Sequence, residues 1–192
     1  DGNSHGSFAY NKNEYTTYGI RSQSQYGDNG DTTRIVHSLF QHTGNAVYLR
    51  YSNRTQLIQD NTIKNTTDWA IIIQYGYEHN IPIIERNILE QTRCGINLNT
   101  NGISTVSENI INGIGTGNCT GIYMGHNTGV ILDGNSVQNF SSGIEVTDSN
   151  SNGQYDLGED FIDENFNHIW DSNGEDVGEN DGFCNKVYYY YV

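Results

Sequence analysis

The sequence predicts an all-β solenoid of about six stacked coils, and two repeated motifs are the observations behind this prediction. The first motif is a small residue followed by alternating apolar and variable residues, and successive copies begin 24, 25, 26 and 22 residues apart. The second motif places an asparagine between two apolar residues, in the intervals between copies of the first. Because two independent motifs keep the same register, a chance repeat is a poor explanation.

The first motif predicts one strand in each coil. Side chains alternate across a strand, so Ile96 and Leu98 are expected to point inward, while Asn97 and Asn99 point outward. The copies read AVYLRY (46–51), AIIIQY (70–75), GINLNT (95–100), GIYMGH (121–126) and GIEVTD (143–148), with GIRSQS (19–24) as an earlier copy.

The second motif, apolar-x-x-Asn-x-apolar, predicts a ladder of amides at one corner of the coils. Its asparagines are Asn61, Asn87, Asn109 and Asn135, and Ser38 takes the same place in an earlier coil. Stacked amides can donate to and accept from the next coil, which satisfies buried turns. Helical periodicity is absent, and one coil cannot bury its apolar face alone, whereas stacked coils share a continuous core.

Both motifs together resemble those of the right-handed parallel β-helix proteins of the pectate-lyase-like superfamily, over roughly residues 8–147. That fold hosts lyases, hydrolases, adhesins and structural rods, so the resemblance implies an architecture and not a function. Its lyases typically combine a carboxylate-bound Ca²⁺ with a basic side chain, and its hydrolases use clustered aspartates. The predicted outward columns contain one carboxylate, Glu145, so the sequence gives no support for an enzyme. The columns are Arg21, Tyr48, Ile72, Asn97, Tyr123, Glu145 and Gln23, Arg50, Gln74, Asn99, Gly125, Thr147.

The same outward face contains aromatic and polar side chains that could bind a glycan. These candidates are Tyr48, Arg50, Asn97, Asn99 and Tyr123. An ordinary solvated sheet face has the same composition, and both interpretations remain open at the level of the sequence.

Residues 148–182 contain eleven carboxylates and no lysine or arginine, in a chain whose formal net charge is −14. Such a run is either solvated and disordered or neutralised by cations. The spacing D-x-[DN]-x-[DN]-G-x₅-E indicates a twelve-residue calcium loop, because alternate oxygen ligands converge on one hard cation. The ligands of this first loop are Asp148, Asn150, Asn152, the carbonyl of Gln154, Asp156 and Glu159.

A second loop follows, with His168 in place of the glycine and its glutamate one position late. A third site would share some of the same residues. The ligands of these sites are Asp163, Asn165, Asn167, Ile169, Asp171, Asn173, Glu175 and Asp176. Because the strand GIEVT precedes the first loop, this is not a helix–loop–helix hand. It resembles the tandem calcium loops of dockerin-like and thrombospondin type-3-like modules, with Ca²⁺ as the cofactor.

The remaining features concern the cysteines and the chain ends. Cys94 and Cys119 lie in adjacent predicted coils, where a spacing of about 4.8 Å suits a disulfide, but two buried thiols fit as well because their registers differ by one. The chain begins at Asp1, which fits a mature chain whose signal peptide has been removed and equally a shortened chain. The end, VYYYYV (187–192), has strong strand propensity, and it could either fold back on its own rod or add as a strand to a neighbouring molecule.

These observations divide the chain into a parallel β-helix (1–147), tandem calcium loops (148–182) and a C-terminal strand (183–192). A nucleic-acid partner is not expected because no basic patch exists, and no apolar run approaches the ~18 residues of a membrane span. We expect an extracellular, calcium-stabilised structural protein that self-assembles through its ends into a surface assembly or filament. The alternative is a β-helix that binds or cleaves carbohydrate.

Overall fold

The computed structural model describes residues 7–23, 32–52, 55–76, 81–100, 103–125 and 129–146. This part of the chain forms eighteen β-strands and no helix, and hence no helix of a length and apolarity that could cross a membrane. The strands are short because each coil turns a corner after every three to eight residues.

The strands form three parallel sheets of six, because each strand pairs with the strand three places further along the chain. Sheet A contains β1 (Ser7–Ala9), β4 (Thr32–Val36), β7 (Thr55–Gln59), β10 (Pro82–Glu85), β13 (Ile103–Ser107) and β16 (Gly129–Asp133). Sheet B contains β2 (Lys12–Glu14), β5 (Leu39–Gln41), β8 (Thr62–Lys64), β11 (Ile88–Thr92), β14 (Ile110–Gly113) and β17 (Ser136–Gln138). Sheet C contains β3 (Tyr18–Gln23), β6 (Asn45–Arg50), β9 (Trp69–Gly76), β12 (Cys94–Thr100), β15 (Thr120–Met124) and β18 (Ser142–Val146).

The chain therefore makes about five full turns of a parallel β-solenoid and passes through each sheet six times. This confirms the fold class and the six coils that the repeat predicted. We number the coils 1 to 6, each made of one strand from sheet A, one from sheet B and one from sheet C. The predicted calcium loops and the C-terminal strand lie outside the described residues.

Inward-facing columns of apolar side chains form the core between the three sheets. In sheet C, Ile71 pairs with Val47 on one side and Ile96 on the other, and all three are fully buried. Sheet B contributes Phe40, Ile63, Leu89, Ile111 and Val137, and sheet A contributes Ile35, Ile58, Ile84 and Val106. Because each column continues from coil to coil, the core is one contiguous cluster rather than separate layers.

Each corner between sheets A and B is a two-residue turn, and its first residue has a positive φ. The angle is 53° at Asp60, Arg86 and Glu108, and 60° at Gly134. The second residue is the asparagine of the motif, or Ser38 in coil 2. Left-handed conformations are unfavourable for residues with a Cβ atom, so the hydrogen bonds of the following asparagine must hold the turn in place.

The predicted asparagine ladder is present and is fully buried at Asn87 and Asn109. The Oδ1 atom of Asn87 accepts the backbone N–H of Asn61 at 3.0 Å, and its Nδ2 atom donates to the Ile58 carbonyl at 2.9 Å. The Oδ1 atom of Asn109 accepts the N–H of Asn87 in the same way, at 3.0 Å. Each amide thus bonds the coil before its own, and the ladder runs from Ser38 to Asn135.

The small residue that opens the first motif lies near the start of each sheet C strand, where it packs against the backbone of the next coil and against side chains of sheet B. A Cβ atom added at Gly95 would lie 2.0 Å from the Gly121 carbonyl oxygen, and one added at Gly121 would lie 2.7 Å from the Gly143 carbonyl oxygen and 2.2 Å from the Val137 side chain. In coils 2 and 3 the same column holds Ala46 and Ala70, which are fully buried. Packing explains the small residue throughout the column, and close backbone approach explains the glycines of coils 4 and 5.

A disulfide joins Cys94 and Cys119 across coils 4 and 5, with a Cα–Cα distance of 5.3 Å. The strand pairing aligns Ile96 with Ile122, so Cys94 lies opposite Thr120 and Cys119 is one residue earlier. Because of this offset of one residue, the sequence alone was equally consistent with two free thiols. The observed Cα distance lies within the range that a disulfide spans, and the bridge forms despite the offset.

Candidate functional site

The outer face of sheet C brings together the residues that the sequence assigned to two outward columns. Arg21, Tyr48, Ile72, Asn97, Tyr123 and Glu145 are register partners from strand to strand. In the second column, Gln23, Arg50, Gln74 and Asn99 pair in the same way. The five glycan candidates are therefore all on this face, although they do not form one continuous surface.

A cluster of two arginines and four tyrosines occupies the end of this face that belongs to coils 1 to 3. The Arg50 guanidinium lies 4.9 Å from the ring centroids of both Tyr51 and Tyr75, and those two rings are stacked at 5.2 Å. The Arg21 guanidinium lies 4.8 Å from the Tyr18 ring and 5.7 Å from the Tyr48 ring. We call this set, Tyr18, Arg21, Tyr48, Arg50, Tyr51 and Tyr75, the Arg–Tyr cluster.

Cation–π contacts and tyrosine hydroxyls, rather than carboxylates, surround Arg50 within the described residues. Burial lowers the pKa of the Arg50 guanidinium, but electrostatic interactions with Tyr48, Tyr51 and Tyr75 and a hydrogen bond to Tyr48 raise it, and the net pKa lies above its ordinary value. The guanidinium is thus a fixed positive charge. Because Arg21 and Arg50 both lie over the Tyr48 ring, that ring offers little free face for stacking a sugar.

The other glycan candidates belong to a separate group in coils 3 to 5. The Trp69 and Tyr123 rings contact each other with a centroid distance of 6.3 Å, and Asn97 lies between Ile72 and Tyr123 in the column. Ile72, which separates this group from Tyr48, is only 5% exposed although it points outward. An apolar residue in the middle of the face interrupts any polar platform there.

Acidic chemistry is sparse on this face. Glu145 is the one carboxylate in the described columns, and its Oε2 atom accepts a hydrogen bond from the Thr120 hydroxyl at 3.0 Å. Among the described residues, no group of three or more His, Cys, Asp or Glu side chains is arranged to hold a metal ion. The described outward columns of sheet C therefore contain no pair of acids like that of the resembling hydrolases.

Several charged side chains elsewhere on the rod form ion pairs, at an A–B corner or on the outer face of sheet B. Arg86 Nε donates to Asp60 Oδ1 at 3.0 Å between coils 4 and 3, and this bond raises the pKa of Arg86. Lys64 of coil 3 forms an ion pair with Glu90 of coil 4. These exposed ion pairs link charged side chains of neighbouring coils, and they do not form a catalytic arrangement.

The two ends of the solenoid are the other candidate site. Within the described residues, β1, β2 and β3 have a neighbouring strand on one side only, and so do β16, β17 and β18. At the coil 1 end, Phe8 continues the inward column of Ile35 but is 40% exposed. A concave surface at this end is lined by Phe8, Asn11, Asn13, Gly19, Ile20 and Arg21.

Sequence reasoning missed several residues of these sites. Tyr51 and Tyr75 occupy equivalent places in coils 2 and 3, and their repetition could have predicted the stacked pair. Phe8, Asn11 and Asn13 match the second motif except for its last apolar position, so coil 1 could have been aligned as well. The predicted calcium ligands, from Asp148 to Asp176, lie outside the described residues.

Comparisons with protein-family models, curated proteins and solved structures found no match to this chain. The functional assignment therefore depends on the sequence and the geometry described above.

Proposed function

We propose that this protein is a structural building block of an extracellular assembly, in which β-solenoid rods associate through their ends. The observation that carries this proposal is that all three sheets end in edge strands at both ends of the described rod. Unpaired edge strands present rows of N–H and C=O groups to any strand that can pair with them. Most solenoids cover such edges with polar capping elements, since exposed edges promote association.

The outer face of sheet C supports a structural role better than a catalytic one. One carboxylate, Glu145, stands in the described outward columns of sheet C, while general acid–base chemistry needs a positioned partner. Carbohydrate binding is the second candidate, favoured by the Arg–Tyr cluster. It is the weaker one, because the two guanidinium groups occupy the ring faces that would stack on a sugar.

An extracellular location is supported by two features. The Cys94–Cys119 disulfide suits an oxidising compartment, because cytosolic thiols are kept reduced. The acidic stretch 148–182 suits a compartment in which calcium is abundant, because extracellular calcium modules bind with dissociation constants of about 10⁻⁴–10⁻³ M. We propose two calcium sites in this stretch, and a third that shares their ligands.

We expect the purified full-length chain to form linear oligomers in the presence of calcium. Edge strands that pair end to end have no geometric reason to close, so the products should be rods of variable length. Sedimentation velocity over a range of protein concentrations, together with electron microscopy, measures this directly. A chain that sediments as a monomer at millimolar concentration would contradict the proposal.

We expect calcium to stabilise residues 148–182. Eleven carboxylates in one stretch repel one another, and calcium at 100 times its dissociation constant adds about 2.7 kcal/mol per independent site to the folding free energy. Asp148→Ala or Glu159→Ala should therefore weaken calcium binding in calorimetric titration and increase protease cleavage of this stretch. Asp133→Ala removes an exposed carboxylate from sheet A and serves as the matched control. If a chelator changes neither the melting temperature nor the cleavage pattern, the prediction of calcium sites in residues 148–182 is wrong.

A further inference from the structure

The A–B corner of coil 1 contains an asparagine, Asn11, that is oriented as a ladder member but has no described coil before it. Asn11 Nδ2 donates to the Ala9 carbonyl two residues earlier, at 3.3 Å. Inside the ladder, Asn87 Nδ2 donates in the same way to the Glu85 carbonyl at 3.1 Å, and also to the Ile58 carbonyl of the preceding coil. The Asn11 amide therefore already has the orientation that reaches a preceding coil.

The ladder of the described residues ends at Asn135 in coil 6. Asn135 Oδ1 accepts the N–H of Asn109, and its Nδ2 atom donates to the Val106 carbonyl. One further coil would continue the pattern by placing an asparagine Oδ1 on the N–H of Asn135. The Nδ2 atom of that asparagine would reach the Leu132 carbonyl, three residues before Asn135, as every asparagine from Asn61 to Asn135 does with the preceding coil.

The strand registers allow coil 1 of a second copy to take that place. The inward columns of sheets A and C would then set Phe8 on Leu132 and Ile20 on Ile144. Leu132 is partly buried against the core and Phe8 is 40% exposed, so the junction would cover apolar surface. Asn13 and Ser22 hold the other two inward positions of coil 1, so the contact would be less apolar than one inside the rod, and reversible.

The charges on the two ends are compatible with this register. Arg21 of one copy would occupy the same sheet C column as Glu145 of the other, on adjacent strands. No like charges would meet in sheets A and B, because Ala9 lies in the column of Asp133, Lys12 in that of Ser136 and Glu14 in that of Gln138. Opposite charges on neighbouring strands stabilise a pairing, and like charges oppose it.

We propose that the partner is a second copy of this chain, with its coil 1 stacked on coil 6 of the first copy in the register that sets Asn11 on Asn135 and Arg21 on Glu145. The inference depends on the proposed structural function and specifies its interface. Such a contact uses different surfaces on the two copies, so it generates an open filament rather than a closed dimer. The asparagine ladder would then run without interruption from one copy into the next.

The test uses charge reversal at the two ends in the full-length chain. Arg21→Glu and Glu145→Arg each place like charges at the junction, so either variant alone should dissociate about ten- to a hundredfold more readily. An equimolar mixture of the two variants should restore assembly, because every junction between unlike copies pairs opposite charges. Arg21 and Glu145 of one copy are about 24 Å apart, five strand spacings, so rescue cannot arise within a molecule.

Sedimentation velocity with wild type, each variant and the mixture gives distinct outcomes. Arg21→Gln and Glu145→Gln are neutral variants that should assemble with intermediate strength, and far-ultraviolet circular dichroism checks that each variant keeps its strands. If wild type assembles and both reversals assemble equally well, or the mixture of two weakened variants stays dissociated, this register is wrong while the structural function stands. If wild type does not assemble, the proposed function fails and this inference fails with it.

Discussion

Asn87→Ala is expected to lower the free energy of unfolding by about 2–4 kcal/mol. The substitution leaves the buried N–H of Asn61 and the Ile58 carbonyl without the partners that Asn87 provides. It also removes the Asn87 link to Asn109 Oδ1, at 3.0 Å. Unsatisfied buried backbone groups bear their full desolvation cost, because water cannot reach this corner. Denaturant-induced unfolding followed by circular dichroism measures the change.

Two control variants isolate the role of the ladder. Asn99→Ala makes the same change on the outer face of sheet C and should alter the free energy of unfolding by less than about 0.5 kcal/mol. Asn87→Ser should cost less than Asn87→Ala, because Ser38 already serves the same corner in coil 2. Its Oγ atom accepts the Asn11 N–H and donates to the Val36 carbonyl. Equal stability of Asn87→Ala and Asn99→Ala would show that the ladder does not hold the coils together.

Loss of the disulfide is also expected to lower the free energy of unfolding. Cys94 and Cys119 are 25 residues apart, and a loop of that length stabilises by roughly 3–4 kcal/mol in the chain-entropy model. The double variant Cys94→Ser/Cys119→Ser should therefore unfold at lower denaturant concentration. Counting thiols in the denatured, unreduced wild type should show that two of the three cysteines are unreactive.

The reductant provides the control for that prediction. Dithiothreitol should lower the melting temperature of the wild type towards that of the double variant, and it should leave the double variant unchanged. Three reactive thiols in the wild type, or a double variant that is as stable as the wild type, would contradict the bridge.

The fold could be predicted because a solenoid repeats its constraints in the sequence. Ile96 and Ile122 recur at equivalent places since each must fill the same inward position, and Asn61 and Asn87 recur since each must close the same turn. Six repetitions reinforce one another, so the outward columns on sheet C matched the observed strand pairing from Arg21 to Glu145.

Features that occur once or twice were less accessible to sequence reasoning. The Arg–Tyr cluster depends on the direction of long side chains such as Arg50, which strand alternation alone does not give. The disulfide depends on a distance between two positions that are out of register by one residue. Asn11 was not recognised as a ladder residue from the sequence, because Asn13 replaces the apolar residue that ends the motif in the other coils. The proposed junction between copies would not require the apolar side chain that the internal coils have at this position.

The corners between sheets A and B control how this chain can change in length during evolution. All six A–B corners contain two residues, whereas the connections from sheet B to sheet C vary from one to six residues and those from sheet C back to sheet A vary from two to eight. One extra residue at an A–B corner would shift the alternation of the next strand and turn its inward side chains towards solvent. Insertions are therefore expected to be tolerated along two edges of the rod, at the B–C connections and at the C–A connections. Elsewhere the rod can lengthen only by duplication of an entire coil, so viable relatives should differ in length by multiples of a coil plus loops on those two edges.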